Sequence, residues 1–154
     1  MVKVYAGLED FPSPAEQPGY YVMLKNIGSF TRKPDTKVLV AVSPEAEILG
    51  GVVYFADMRQ YGSGGSATRE TNASGIRLLA VDPNCRKSGI GRALTQTCVA
   101  LAEQSGNRQV ILHTTRTMEV AWKMYLRLGF VRSTELDFMQ GGLAVFGFRL
   151  KLGS

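Results

Sequence analysis

Short hydrophobic runs separated by turn residues dominate the chain and predict a strand-rich domain. Most of these runs are flanked by glycine, proline or small polar residues, as is usual for strands. Strands are predicted over Lys37–Val42, Ile48–Asp57, Gly75–Val81 and Gln109–Thr114, and near Phe130–Phe138 and Leu143–Leu152. The run from Gly75 to Val81 is almost continuously apolar, which is typical of a strand covered on both faces.

Helical periodicity interrupts the predicted strands at two places and occurs once before them. An apolar stripe at helical spacing predicts a helix from Gly89 to Gln104, and a second helix is predicted over Met118–Leu128. A helix-like stretch covers Gly19–Ser29. The resulting order β-β-β-α-β-α-β-β predicts an α/β or α+β domain with a mixed sheet.

The composition is that of an ordinary globular domain. The chain has 154 residues and a mass of 16.8 kDa, with 45% apolar and 20% charged residues, which fits one domain over residues 1–154. No apolar run approaches the roughly 20 residues that a bilayer span needs, and the N-terminal residues do not resemble a secretory signal. We therefore expect a cytoplasmic protein that is neither membrane-bound nor secreted.

The two cysteines and the one histidine, Cys85, Cys98 and His113, are too few for a disulfide framework or a metal cluster. We therefore expect reduced thiols and no metal. The formal charge of +5 favours an anionic partner, which nucleic acid and a phosphate-bearing small ligand both satisfy. No Lys/Arg run exceeds two residues, which disfavours nucleic acid.

A basic, glycine-containing turn after the third strand carries the clearest chemical signal. The start of a helix leaves about four N–H groups unpaired and carries partial positive charge. Gly89 and Gly91 lack the Cβ atoms that would keep a phosphate from these donors, and the cations Arg86, Lys87 and Arg92 surround them. The turn therefore predicts a diphosphate site. It lacks the Gly-Lys-Ser/Thr of a P-loop and the third glycine of a dinucleotide fingerprint.

The segment Arg86-Lys-Ser-Gly-Ile-Gly resembles the Q/R-x-x-G-x-G/A acetyl-CoA signature of the GNAT superfamily of N-acetyltransferases, in particular its bacterial members. Leu78-Leu-Ala-Val with Pro83, and the later run Ala121–Phe130, resemble the family's adjacent motifs in order and spacing. The resemblance implies a three-layer α/β fold, with a mixed, mostly antiparallel sheet flanked by helices. It also implies transfer of an acetyl group from acetyl-CoA to a primary amine. A coenzyme-A-binding module without turnover is the alternative.

The resemblance implies contacts to acetyl-CoA that are mostly made by the backbone. The pantetheine arm would pair with the strand at Leu79, Ala80 and Val81, and the Val81 N–H would polarise the thioester carbonyl. The diphosphate would lie on the turn and the first helical residues, Arg86, Lys87, Ser88, Gly89, Ile90, Gly91 and Arg92. Tyr125, on the second helix, takes the family's position for the acid that protonates the departing thiolate.

Several positions depart from the family's pattern. Met118 stands where many relatives place an asparagine that bonds the pantetheine, so that hydrogen bond is in question. The third strand has no glutamate, and Glu70 upstream is the nearest acid that could relay the amine's proton. Arg77 is the one charged residue in that strand. It is either a substrate anchor that shares the strand parity of Leu79 and Val81, or a structural arginine at the sheet surface.

The N-terminal part departs from the family as well. Relatives open with a strand and a helix that form part of the acceptor site, whereas here little more than the end of such a helix precedes Gly19. Either residues 1–18 take over that role or the first strand is missing. A missing strand would leave an open sheet edge, which a second copy of the chain could cover in a homodimer. The expected acceptor is a small-molecule or peptide amine.

Overall fold

A computed structural model of the protein describes residues 3–6, 34–62, 64–85 and 88–153. The predicted helix-like stretch over Gly19–Ser29 lies outside the described residues, as do Arg86 and Lys87. The strands are β1 (Lys3–Ala6), β2 (Thr36–Val42), β3 (Ile48–Phe55), β4 (Ala73–Val81), β5 (Gln109–Thr114), β6 (Val131–Arg132), β7 (Phe138–Gln140) and β8 (Leu143–Lys151). The α-helices of the described residues are α1 (Ile90–Gln104) and α2 (Glu119–Arg127).

The strands form one mixed sheet in the order β1-β2-β3-β4-β5-β8-β6, and β7 pairs with β8 beside this path. β4 and β5 are parallel, and the other pairs are antiparallel. The parallel pair is joined through α1, as a parallel connection requires. The mixed, mostly antiparallel sheet with flanking helices confirms the predicted fold class.

β1 excludes one of the two alternatives for the N-terminal part, the one in which the first strand is missing. It pairs antiparallel with β2, from Lys3 opposite Val42 to Ala6 opposite Leu39. Its four residues are too few for a periodicity to be read from the sequence, and the strand that pairs with it lies far along the chain. The edge of β2 that a second copy was expected to cover is therefore occupied by β1.

The chain between α2 and β8 differs from the strand predicted near Phe130–Phe138. Only β6 is a strand at its start, and a 3-10 turn at Thr134–Leu136 follows before β7. The carboxylate of Asp137 holds this turn, because it accepts hydrogen bonds from the Arg132 guanidinium at 2.8 Å and from the Gly147 N–H at 2.7 Å. The bond from Arg132 lowers the pKa of Asp137. Side-chain bonds thus replace the continuous strand ladder that the apolar pattern predicted.

Buried apolar side chains form two clusters, and alternate residues of the strands contribute to each. We call the first the helix-side core, because it includes residues of α1 and α2; its members include Tyr54, Ile76, Leu94, Leu112 and Tyr125. The other is the loop-side core, which lies against the chain between β3 and β4; its members include Val53, Phe55, Met58, Tyr61 and Ile111. No helix among the described residues has both the length and the apolar character that a membrane crossing requires.

Gly75 lies where the loop-side core approaches β4 closely. A methyl group on Gly75 would lie 2.7 Å from a ring carbon of Tyr61 and 2.8 Å from Met58 Sδ, and both of these side chains are buried. We predict that Gly75→Ala lowers the free energy of unfolding by about 1–3 kcal/mol, because both neighbours must move. Gly142, whose added methyl group would meet nothing within 4 Å, is the control. Denaturant unfolding compares the two variants, and equal stabilities would contradict the packing described here.

Candidate functional site

β4 and β5 diverge partway along their length, and the gap between them is the centre of the candidate site. They pair from Ala73 opposite Gln109 to Ile76 opposite Leu112. Beyond this point β4 continues to pair with β3, and β5 continues to pair with β8. Within the described residues, no strand therefore pairs with the facing edges of β4 and β5. The main-chain groups of such an edge can bind an extended ligand.

A bulge at Leu78 marks the point where β4 leaves β5. Gly51 pairs with Ala80 whereas Val53 pairs with Arg77, so β4 carries one residue more than β3 between these pairs. Leu78 has a φ of 59°, in the left-handed region, and its side chain is 39% exposed. A leucine in this conformation costs about 1–2 kcal/mol. Residues held in such conformations concentrate at functional sites.

The bulge also decides which face of the sheet the following residues occupy. Leu79 and Val81 pack against the helix-side core, which includes Ile76. Arg77 contacts the loop side, where its Nη1 donates to the Tyr61 carbonyl at 3.0 Å and its guanidinium lies 5.8 Å from the Tyr61 ring centre. The expectation that Arg77 shares the parity of Leu79 and Val81 is therefore wrong. The extra residue in the bulge reverses the alternation between them.

The main-chain N–H of Val81 points into the gap. The N–H of the next residue, Asp82, donates to the Leu49 carbonyl oxygen at 2.8 Å, on the β3 side. Successive N–H groups of a strand point to opposite edges, so the Val81 N–H points away from β3, to the side from which β5 has diverged. The same alternation gives the Leu79 N–H this direction.

α1 begins close to the end of β4, with a first turn that no side chain caps. Gly89 precedes the helix with a φ of 86°. The Ala93 N–H donates to the Gly89 carbonyl oxygen at 2.9 Å, and among the described residues it is the first N–H of the helix with such a bond. The N–H groups of Ile90, Gly91 and Arg92 therefore point out of the helix end, where the helix dipole is positive. This geometry suits an anion.

The turn between β4 and α1 is held by short-range bonds. The Asp82 carboxylate accepts a hydrogen bond from the Asn84 N–H at 2.9 Å, and the Cys85 N–H donates to the Asp82 carbonyl at 2.8 Å. The Ser88 hydroxyl donates to the Cys85 carbonyl. Arg92 is exposed and places a positive charge at the same end of α1.

At Gly91, side chains of α2 and β4 come close to α1. A methyl group on Gly91 would lie 3.6 Å from both Met124 Sδ and Val81 Cγ2, and 3.9 Å from Leu79 Cδ2. These are ordinary contact distances, so the glycine keeps a space open among these three side chains. The start of α1, the end of β4 and α2 therefore meet around this space.

Tyr125 follows Met124 in α2 and belongs to the helix-side core. Its side chain is 5% exposed, and its ring packs edge to face on Phe130 with 5.7 Å between the ring centres. Burial raises the pKa of its phenol, and Cys98 adds a smaller contribution in the same direction. The phenol therefore stays protonated at neutral and mildly alkaline pH, as an acid must.

Met118 lies immediately before α2, and its side chain is 45% exposed. Its N–H donates to the Thr115 carbonyl at 3.1 Å, and its carbonyl accepts from the Trp122 N–H at 2.9 Å. Its backbone is thus fixed, while the residue as a whole is exposed to solvent.

The structure does not bring Glu70 together with these residues. Its carboxylate lies 2.6 Å from Arg149 Nη2, and Arg149 also contacts Glu135 and Gln109. Arg149 pairs with Ile111 across β5 and β8. The ion pair therefore lies beside the part of β5 that still pairs with β4, away from the gap.

The loop side contains a hydrogen-bond network that was not predicted from the sequence. The Tyr61 hydroxyl lies 2.9 Å from His113 Nδ1, and His113 Nε2 lies 2.8 Å from the Leu136 carbonyl oxygen. A carbonyl oxygen only accepts, so Nε2 carries the proton and Nδ1 accepts from Tyr61. Burial lowers the pKa of His113, which agrees with a neutral ring. The network connects Tyr61, at the start of the Gly/Ser-rich segment after β3, to His113 of β5.

Comparison with known proteins agrees with this architecture. The model of the acetyltransferase (GNAT) family matches residues 3–130. A mycothiol acetyltransferase of Salinispora tropica is 32% identical over 105 residues, which are 67% of this chain and 32% of that protein. Human N-alpha-acetyltransferase 30 is 38% identical over 79 residues, which are 50% of this chain and 21% of that protein. The chain thus spans between 21% and 32% of the length of these two relatives.

Solved structures share the fold over nearly the whole chain. The ribosomal-protein-S18-alanine N-acetyltransferase from Escherichia coli aligns with a TM-score of 0.69 at 16% identity, covering 100% of this chain and 96% of that one. A GCN5-related N-acetyltransferase from Kribbella flavida aligns with a TM-score of 0.65 at 20% identity, covering 98% of both chains. At these identities the likeness shows the fold.

Proposed function

The chain belongs to the acetyltransferase (GNAT) family, and from this premise we propose that it transfers an acetyl group from acetyl-CoA to a primary amine. The observation that carries the proposal is the unpaired edge of β4 beside the uncapped start of α1. The edge suits an extended chain of amides, and the helix start suits a diphosphate. A coenzyme A thioester contains both in one molecule. We propose this activity for one domain over residues 1–154.

The diphosphate of acetyl-CoA binds at the start of α1 in this proposal. The N–H groups of Ile90, Gly91 and Arg92 have no partner within the helix and lie at its positive end. Gly89 adopts a φ of 86°, and a side chain added there would meet nothing within 4 Å, so the approach to these donors is open. The residues Arg86, Lys87 and Ser88 complete the proposed diphosphate site through their position in the motif.

The pantetheine arm extends the sheet along β4. The N–H groups of Leu79 and Val81 point into the gap. On its other edge this part of β4 pairs with β3, with Ala80 opposite Gly51 and Val81 opposite Gly50. Main-chain pairing of this kind binds an extended ligand as an added strand. We assign the Val81 N–H, which points into the gap, as the donor to the thioester carbonyl oxygen, as the family resemblance implies.

Tyr125 supplies the acid. The amine nitrogen attacks the thioester carbon and forms a C–N bond, and the Val81 N–H stabilises the oxygen as it becomes negative. When the C–S bond breaks, the sulfur takes the proton of the Tyr125 hydroxyl. The proton that the new amide nitrogen loses restores the phenol, so Tyr125 ends the cycle protonated.

The amine reacts in its neutral form in this proposal. Glu70 is held by Arg149 at 2.6 Å and lies away from the gap, so we do not assign it the relay of the amine's proton. The amine loses its proton to water instead, so the fraction of neutral amine rises with pH. Arg77 is likewise bonded to the Tyr61 carbonyl, so we do not assign it to the acceptor.

The acceptor is a small-molecule or peptide amine. Relatives named mycothiol acetyltransferase and N-alpha-acetyltransferase 30 match the chain at similar identity, 32% and 38%, so the likeness favours neither kind of acceptor. Its identity has to come from a panel of amines.

Gly89→Glu is predicted to abolish binding of acetyl-CoA, measured by isothermal titration. The carboxylate would lie against the diphosphate, and repulsion of this kind costs several kcal/mol, so we expect affinity to fall by more than about 100-fold. Gly106→Glu is the matched control, because Gly106 also has a positive φ, of 76°, and an added Cβ there would also meet nothing within 4 Å. It lies beyond the opposite end of α1 and should keep the wild-type affinity. Equal affinities of the two variants would contradict the site.

Tyr125→Phe is predicted to lower kcat by about 100-fold or more while acetyl-CoA affinity stays close to that of the wild type. Release of free thiol from acetyl-CoA with a panel of amines measures the rate. In the wild type, kcat/KM should rise with pH as the amine loses its proton. It should not fall again below about pH 10, because burial raises the pKa of Tyr125 and the acid form persists.

Tyr54→Phe is the control for Tyr125→Phe. Tyr54 is a buried tyrosine of the same core, and its hydroxyl bonds Ser74 at 2.8 Å, so its loss should lower stability and leave kcat unchanged. An unchanged rate for Tyr125→Phe at every pH would remove its role as the acid. A wild-type protein that binds acetyl-CoA but releases no thiol with any amine would favour the non-catalytic coenzyme-A-binding module.

A further inference from the structure

Thr114 carries a buried hydroxyl without a hydrogen-bond partner. The residue is 4% exposed, and within the described part of the chain its Oγ1 is the one buried side-chain polar atom in this state. A buried hydroxyl is normally bonded, because leaving it unbonded in the interior costs about as much as a lost hydrogen bond. Such an atom in a native structure calls for an explanation, and an absent ligand is one.

Thr114 lies beyond the point where β5 leaves β4. β5 pairs with β4 only as far as Leu112, whereas Thr114 pairs with Phe146 of β8 on the other side. Alternation along the strand places the Thr114 side chain on the same face as that of Leu112. Leu112 belongs to the helix-side core, and Phe146 packs against it. The Thr114 side chain therefore lies beside the gap, on the face of the sheet that α1 and α2 cover.

The other side chains that we place around this part of the gap are apolar. Leu79, Val81 and Met124 surround the space beside Gly91 at 3.6 to 3.9 Å from a methyl group placed there. Met118 offers only a thioether, which is a weak acceptor and no donor. A pantetheine arm carries two amide groups, which lose their bonds to water when they enter a gap with apolar side chains around it. They need partners from the protein.

We propose that the Thr114 hydroxyl binds the pantetheine arm of acetyl-CoA, through a hydrogen bond to one of its amide groups. This inference rests on the proposed function. A hydroxyl both donates and accepts, so it can bond either the N–H or the C=O of an amide. Thr114 would thereby supply a side-chain bond that Met118 cannot make. The unliganded protein carries an unbonded hydroxyl, and binding relieves it.

Thr114→Val tests this proposal, because valine keeps the shape of the side chain and removes the hydroxyl. Two probes separate the parts of the ligand: acetyl-CoA, and adenosine 3′,5′-bisphosphate, which has no pantetheine arm. We expect the Kd of acetyl-CoA to rise roughly 3- to 10-fold and the Kd of the bisphosphate to stay the same. The Tm of the unliganded variant should be equal to that of the wild type or higher, since the variant loses only an unbonded group. Thr114→Ser, which keeps a hydroxyl, should restore most of the affinity for acetyl-CoA.

Thr95→Val is the matched control, because Thr95 is also fully buried but its hydroxyl donates to the Gly91 carbonyl at 2.8 Å. The Tm of the Thr95→Val variant should not rise. The ratio of its Kd for acetyl-CoA to its Kd for adenosine 3′,5′-bisphosphate should equal that of the wild type. The proposal is overturned if Thr114→Val binds acetyl-CoA as the wild type does, if it loses affinity equally for both probes, or if its Tm falls by several degrees. A wild-type protein that binds neither probe overturns the proposed function, and the inference with it.

Discussion

The main-chain edge that β4 exposes when β5 diverges is the constraint on which the candidate site depends. Strand edges inside a sheet are normally filled by a neighbouring strand, because main-chain N–H and C=O groups that lose water without gaining a partner are costly. β4 and β5 pair only as far as Ile76 and Leu112. Beyond these residues, no other strand within the described residues pairs with the separated edges. A ligand with its own amide groups can complete the ladder there. Binding in this account is therefore a continuation of the sheet.

The bulge at Leu78 decides on which face of the sheet the side chains along this edge lie. An extra residue in β4 turns Leu79 and Val81 to the helix-side core, where the start of α1 lies. Without it, strict alternation would send Leu79 and Val81 to the loop side and Arg77 would share their face. The left-handed φ of Leu78 costs about 1–2 kcal/mol, which the surrounding strand pairs must offset. One strained residue thus places side chains from the end of β4 on the same face of the sheet as the start of α1.

Local features of the site could be predicted from the sequence, and long-range ones could not. The start of α1 follows from the spacing of Gly89 and Gly91, and the two helices follow from apolar stripes; each of these signals lies within a few residues. The bulge at Leu78 has no such signal, because an apolar run such as that of β4 has no alternation to be broken. The prediction for the parity of Arg77 failed for that reason.

The same distinction applies to side chains whose state depends on distant partners. Glu70 is close to β4 along the chain, but Arg149, which comes from β8 near the end of the chain, holds it away from the gap. The buried hydroxyl of Thr114 has no partner among the described residues, and this depends on the side chains that other strands and helices pack around it. Neither fact can be read from neighbouring residues. β1 was missed because four residues are too few to show a pattern, and only its pairing with β2 defines it.

The most direct test of the open β4 edge is a titration of the 15N-labelled protein with coenzyme A, followed by amide chemical shifts. The account predicts that the amides of Leu79, Val81, Ile90, Gly91 and Arg92 shift together with one affinity, while those of β1, on the far edge of the sheet, stay in place. Shifts confined to residues of the loop-side core, with Val81 and the start of α1 unchanged, would contradict it.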